Sequence, residues 1–137
     1  MGVIVDSSVI IRAERAREYP TVLIRRILST VGPQEIALST VGLTELVHGT
    51  YRGSTNAARI LSRAFLDEIL SSLPVYDYTP EAAEIAGRID AEERIKGFHI
   101  PFADLLIGAT ALSLNFAILT SNERHFRLIP GLTVIPF

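Results

Sequence analysis

The sequence predicts an α/β fold, a three-layer α/β/α sandwich around a central, mostly parallel twisted sheet. Short apolar runs of strand length alternate along the chain with longer segments of helical periodicity. These runs are apolar throughout, which is typical of parallel strands that are covered by helices on both faces. No internal repeat or second domain is visible in the 137 residues, so we expect one domain spanning residues 1–137.

Composition restricts the classes of protein to which the chain can belong. With 48% hydrophobic and 20% charged residues it lies in the globular range. Cysteine is absent, which excludes disulfides and thiolate metal ligands and fits a cytoplasmic protein. No apolar run approaches the roughly 18 residues of a membrane span, and no secretory signal is apparent, so we expect no membrane association.

The first helices and strands follow from local signals. Val3–Val5 is an apolar strand, and a serine after it can cap a helix that runs toward Glu18. Pro20 suits the first position of a second helix, which Gly32 and Pro33 end. Residues 36–38 form the second strand.

Two further helices complete the first half of the chain. Ser39 and Thr40 separate the second strand from a helix that begins near Val41, where apolar residues recur at helical spacing through Tyr51. The next helix covers residues 57–73, and its wide apolar stripe is typical of a core or a dimer face.

The second half repeats the alternation. Residues 75–78 resemble a strand, after which Thr79 caps a helix that has Pro80 at its first position and that Gly97 ends. A helix from Phe102 to about Leu114 is apolar nearly all round and should therefore be central. The chain then predicts a strand, a helical turn and a last strand, at residues 116–119, 123–126 and 132–135.

Polar residues collect at one predicted edge of the sheet. Asp6 and residues 120–122 follow strands, while Glu45 and Asp104 lie in early turns of helices that leave the same edge, where open α/β sheets bind ligands. Taken singly, Glu45 and Asp104 also suit helix N-termini. Together, three carboxylates repel unless a cation neutralises them, and ligands with oxygen alone favour Mg²⁺ or Mn²⁺. The pattern therefore indicates a metal site.

Four segments carry a resemblance to a known family. In order they are Val3–Ser8, Thr44–Leu46, Ile100–Ile107 and Leu119–Phe126. The chain resembles PIN-domain proteins, specifically the small VapC-like toxins of bacterial and archaeal toxin–antitoxin pairs, over nearly its whole length. The resemblance implies a PIN-like fold and a ribonuclease that depends on Mg²⁺ or Mn²⁺.

The resemblance also implies roles for individual residues. Asp6, Glu45 and Asp104 match the acidic triad of the family and would bind the metal, which would activate water for attack on a phosphodiester. Ser7 and Thr120 would orient ligands or waters, whereas Ser8 is expected to cap the helix. Relatives often carry a further acid at one of two positions that hold Asn122 and His125 here. We count Asn122 with the catalytic residues and His125 with those around the cofactor.

The resemblance further implies three partners, which are RNA, a small antitoxin protein that covers the acidic pocket, and a second copy of the chain in a homodimer. Twelve of the thirteen basic residues are arginine, despite a net charge of −2. Those at positions 12, 15 and 17 either form a solvated face that pairs with Glu14 and Glu18 or bind phosphates.

Other functions fit the sequence less well. A receiver domain needs a late lysine, and the only lysine is Lys96. No G-x-G-x-x-G follows a strand, which excludes the Rossmann fingerprint. The alternative that stays open is a PIN-like module that binds RNA or a protein without cutting.

Overall fold

The computed structural model describes all 137 residues, and its strands form one parallel sheet. The strand order is β3-β2-β1-β4-β5. The strands are β1 (Gly2–Val5), β2 (Glu35–Ser39), β3 (Val75–Tyr76), β4 (Ala117–Thr120) and β5 (Val134–Pro136). All four neighbouring pairs are parallel, which confirms the predicted sheet.

Seven helices connect the strands. They are α1 (Ser7–Arg15), α2 (Pro20–Val31), α3 (Thr40–Tyr51), α4 (Asn56–Ser72), α5 (Pro80–Ile95), α6 (Phe102–Leu114) and α7 (Glu123–Phe126). None of them is both long and apolar enough to cross a membrane.

The central strand β1 explains the three layers. Successive side chains of a strand point to opposite faces of the sheet. Val3 and Val5 therefore join an apolar cluster that includes residues of α1, α2 and α4. Ile4 points the other way and joins a second cluster with residues of α5 and α6. The sheet is thus buried on both faces, as the uninterrupted apolar runs predict.

The strand order reverses between β1 and β4, and the candidate functional site lies at this reversal. The chain proceeds from β1 to β2 and β3 on one side and then returns to β4 on the other. In an open parallel sheet, such a reversal leaves a crevice at the carboxyl ends of the two strands. Asp6 follows β1 and Ser121 follows β4, so both lie at this crevice.

Two local predictions are wrong in detail. Helix α1 ends at Arg15, because Arg17 adopts a left-handed backbone (φ 56°) before Glu18 is reached. Ser8 does not cap α1; Asp6 takes that position, and both serines lie inside the first turn. The apolar stripe of α4, predicted to be core or a dimer face, has Ile69 and Leu73 in the core, while Ile60 and Leu61 are exposed.

Candidate active site

Asp6 is the most enclosed acid of the site, with 3% of its surface exposed. Its backbone N–H donates to the carbonyl of Leu119 (2.9 Å), which ties the end of β1 to β4. One carboxylate oxygen, Oδ2, accepts hydrogen bonds from Ser8 Oγ (2.6 Å) and Thr120 Oγ1 (2.9 Å). These two donors fix the orientation of the carboxylate and satisfy much of its need for hydrogen bonds in a buried position.

Glu45 reaches the same crevice from α3. Ser39 positions this helix, because its hydroxyl accepts from the N–H of Gly42 (3.0 Å) as an N-cap. Ser7 Oγ donates to Glu45 Oε1 (2.7 Å) and so links the first turn of α1 to α3. Burial raises the pKa of Glu45, the Ser7 hydrogen bond opposes this shift, and the negative charges of Asp6 and Asp104 raise the pKa further.

Asp104 lies in the first turn of α6, on the other side of the crevice. Its Oδ2 is 2.8 Å from Nδ1 of His125. Burial raises the pKa of Asp104, the hydrogen bond from His125 opposes it, and the charge of Asp6 adds to the rise. Asp104 therefore responds to the same negative field as Glu45.

Asn122 and His125 contact each other next to Asp104. Asn122 Nδ2 lies 3.0 Å from the same His125 Nδ1 that contacts Asp104. A ring nitrogen that donates to Asp104 cannot also accept from Asn122, so the His125 proton and the Asn122 amide orientation are linked. The backbone N–H of Asn122 donates to Thr120 Oγ1 (2.9 Å), which joins this pair to the hydrogen bonds around Asp6.

The three acids open onto one cavity of about 520 Å³, which we call the site cavity. Its lining residues come from β1, α1, α3, α6 and the loop after β4. They are Asp6, Ser7, Ser8, Ile11, Arg12, Arg15, Glu45, Asp104, Ser121 and Asn122. Thr120 and His125 are not in this lining and instead support Asp6 and Asp104 from behind.

The donor set of the site suits a hard divalent cation in its chemistry. All three acids offer oxygen. Burial is the main cause of the raised pKa values of Glu45 and Asp104, and the charges of the neighbouring acids, which a cation would neutralise, add to the rise. No group of three His, Cys, Asp or Glu side chains is close enough together to hold a metal ion. In this arrangement each acid accepts a hydrogen bond from a different partner, which is Thr120 for Asp6, Ser7 for Glu45 and His125 for Asp104.

Two features of the site differ from or extend the sequence predictions. Ser8 contacts Asp6 instead of serving as the cap, and no local signal indicated this contact. Arg12 and Arg15 line the site cavity, and the signal for this was helical spacing, because Ser8, Arg12 and Arg15 lie at i, i+4 and i+7 on one face of α1.

A larger groove of about 650 Å³ adjoins the site cavity and lies between α1, α3 and α4. Its apolar lining includes Ile10, Phe65 and Leu66. Ile11, Arg15 and Glu45 line both spaces, so the groove and the site cavity are neighbours that share a wall.

The profile of the PIN domain matches residues 3–132 of the chain. The chain belongs to the PIN-domain family. This PIN domain is 30% identical over 135 residues to the ribonuclease VapC1 of Rickettsia felis, a match that covers 98% of this chain and 96% of that protein. The predicted family is therefore confirmed.

Two solved structures show how widely this PIN domain shares its fold. VapBC2 from Rickettsia felis, bound to a DNA fragment from its promoter, superposes with a TM-score of 0.87 at 24% identity, covering 100% of this chain and 99% of that one. DNA-bound VapBC from Salmonella typhimurium gives 0.84 at 26% identity, covering 99% and 98%. The predicted three-layer fold is confirmed, while the roles of individual site residues stay predictions.

Proposed function

We propose that this PIN domain is an endoribonuclease that uses Mg²⁺ or Mn²⁺ to hydrolyse phosphodiester bonds of RNA, as the toxin of a toxin–antitoxin pair in the cytoplasm. The observation that carries the proposal is the convergence of Asp6, Glu45 and Asp104 on one cavity, with the pKa of two of them raised by burial and by their acidic neighbours. Groups with perturbed pKa values that share a cleft are typical of active sites.

Asp6, Glu45 and Asp104 would hold the cation, which when bound supplies a Lewis acid and lowers the pKa of water. Thr120 and Ser8 hold the Asp6 carboxylate in one orientation, and Ser7 does the same for Glu45. His125 holds Asp104 through Nδ1, and Asn122 in turn contacts His125. The chain thus provides acids at the cavity and a shell of polar side chains that orients them.

The larger groove is the position that we propose for the antitoxin. Its mixed lining, with Phe65 from α4 and Ile11 from α1 beside the charged Glu14 and Arg52, suits an amphipathic partner helix. An occupant of the groove would lie against Arg15 and Glu45 and so obstruct the site cavity. The exposed Ile60 and Leu61 of α4 are a candidate face for the homodimer.

The test is RNA cleavage by the purified protein with Mg²⁺ or Mn²⁺, repeated with a chelator and with Asp6→Asn. We expect both changes to abolish cleavage. Asp77→Asn is the matched control, because Asp77 is exposed and makes no side-chain contact at the site, and this variant should cut normally. Cleavage that survives the chelator and Asp6→Asn would contradict the metal site.

A binding module without catalysis is the second candidate, and one observation favours it. The three acids are not close enough together to hold a metal ion. A thermal-unfolding series with increasing Mn²⁺ separates the two candidates, since a ligand that binds only the folded state raises the melting temperature with its concentration. A folded protein that binds RNA, gains no stability from Mn²⁺ and never cuts would favour the binding module.

A further inference from the structure

Arg12 and Arg15 are the cationic part of the site cavity. They share one face of α1 with Ser7 and Ser8, and both side chains are exposed. With a rise of 1.5 Å per residue, Arg12 lies about 7.5 Å and Arg15 about 12 Å along the helix axis from Ser7. The two arginines therefore stand on successive turns that lead away from the carboxylates.

Neither arginine is neutralised by an acid of the chain. Glu14 instead accepts from Ser62 on α4 (2.8 Å), and Glu18 pairs with Arg26 on α2 (2.6 Å). No ion pair of the structure includes Arg12 or Arg15. The predicted pairing with Glu14 and Glu18 is therefore wrong, although the arginines do lie on a solvated face.

The guanidinium groups of Arg12 and Arg15 stay unpaired although the acids of the site are close by. Asp6, Glu45 and Asp104 line the same cavity, yet they take their hydrogen bonds from serine, threonine and histidine. The two guanidinium groups are left free to bind an anion that enters the cavity. Their planar forks suit phosphate oxygens, which accept two parallel hydrogen bonds from one arginine.

We propose that Arg12 and Arg15 bind backbone phosphates of the RNA strand on one side of the bond that is cut. The RNA strand would extend from the carboxylates along α1, where the two arginines contact its phosphates. This inference rests on the proposed ribonuclease function and adds two substrate-binding residues to it. Arg17 is not part of the contact, because it lies beyond the end of α1 and outside the cavity lining.

The expected effect follows from the release of counterions. Each phosphate contact on a single strand contributes about 0.7 to the slope of log affinity against log salt, so two contacts contribute about 1.4. For the double variant Arg12→Ala/Arg15→Ala, the plot of log RNA affinity against log salt concentration should therefore have a slope shallower by about 1.4. At about 0.1 M salt this corresponds to roughly 25-fold weaker binding.

The experiment measures fluorescence anisotropy of a short labelled single-stranded RNA, titrated with protein at several NaCl concentrations with Ca²⁺ in place of Mg²⁺. Arg12→Lys/Arg15→Lys keeps the charges and should keep the slope. Arg88→Ala is the matched control, because Arg88 is exposed on α5, makes no ion pair and lies outside the site cavity. It should bind like the wild type. In cleavage assays with Mg²⁺, we expect the double alanine variant to raise KM and leave kcat within about twofold.

The outcomes separate this inference from the ribonuclease function. An unchanged slope in the double alanine variant, or a wild type that does not bind the RNA, overturns the inference. A slope reduced only in the alanine variant supports it, even where no cleavage is seen, and in that case the ribonuclease function alone fails. A fall in kcat with KM unchanged would also overturn it, because it would indicate an effect on the reaction instead of on substrate binding.

Discussion

Thr120→Val removes one hydroxyl group that two groups of the site use. Thr120 Oγ1 donates to Asp6 Oδ2 (2.9 Å) and accepts from the N–H of Asn122 (2.9 Å). The side chain is fully buried, and valine has nearly the same shape. The substitution therefore tests the hydrogen bonds with little change in packing volume.

The loss of stability can be worked from these two contacts. A hydrogen bond to a charged group contributes about 1.5–3 kcal/mol. Asn122 is exposed, so water can replace the acceptor that its N–H loses. The free energy of unfolding should therefore fall by about 1.5–3 kcal/mol. This is a large share of the roughly 5–15 kcal/mol that holds a typical domain folded.

Urea unfolding followed by circular dichroism measures the change. With a slope near 2 kcal/mol per M, the midpoint should fall by about 0.8–1.5 M. Thr120→Ser is the control, because it keeps the hydroxyl and loses one methyl group, which costs about 1 kcal/mol. A Thr120→Val midpoint within about 0.5 M of the wild type, at an unchanged slope, would refute the assigned roles of the hydroxyl.

Three further predictions concern the fold and its pH dependence. Ile118→Ala, at a fully buried position of β4, should lower the free energy of unfolding by about 2–5 kcal/mol in urea titrations. Gly108→Ala should lower the free energy of unfolding by about 1–3 kcal/mol, because a Cβ at this position would lie 2.4 Å from Ile129 Cδ1. Gly87→Ala is the control, because Gly87 has open space on α5, and it should not lower the melting temperature. Glu45→Gln should raise the melting temperature of the metal-free protein at neutral pH. Because folding raises the pKa of Glu45, the wild type loses stability as pH rises from the unfolded pKa through the folded pKa. The gain should disappear on acidification below that window, whereas exposed Glu68→Gln on α4 should show no gain in melting temperature at either pH.

The fold could be predicted because its signals are local. The apolar runs give the strands, and the rule that ligands bind at the carboxyl ends of parallel strands places Asp6 beside residues 120–122. Thr79 caps α5 as predicted, since the hydroxyl accepts from the N–H of Ala82. The helix bounds Phe102–Leu114 and Glu123–Phe126 also match the prediction.

The remaining features depend on contacts between distant parts of the chain. A serine after a strand is a good N-cap by local rules, and only the packing of α3 and β4 gives Ser7 and Ser8 other acceptors. Glu14 likewise finds its partner 48 residues away, in Ser62. The spacing of the apolar stripe of α4 does not distinguish core from dimer face, and only the three-dimensional packing shows that Ile69 is buried and Ile60 exposed.

The wall shared by the groove and the site cavity affects how quickly the nuclease would regain activity when an inhibitor leaves. A partner in the groove that engages Arg15 and Glu45 would inhibit by occupying residues that RNA needs, with no change of fold in the nuclease. Removal of the partner would then leave the fold of the nuclease unchanged and its cavity open. Reactivation would follow at the dissociation or degradation rate of the inhibitor, without a slow refolding step. Such a nuclease would act as soon as its partner is depleted.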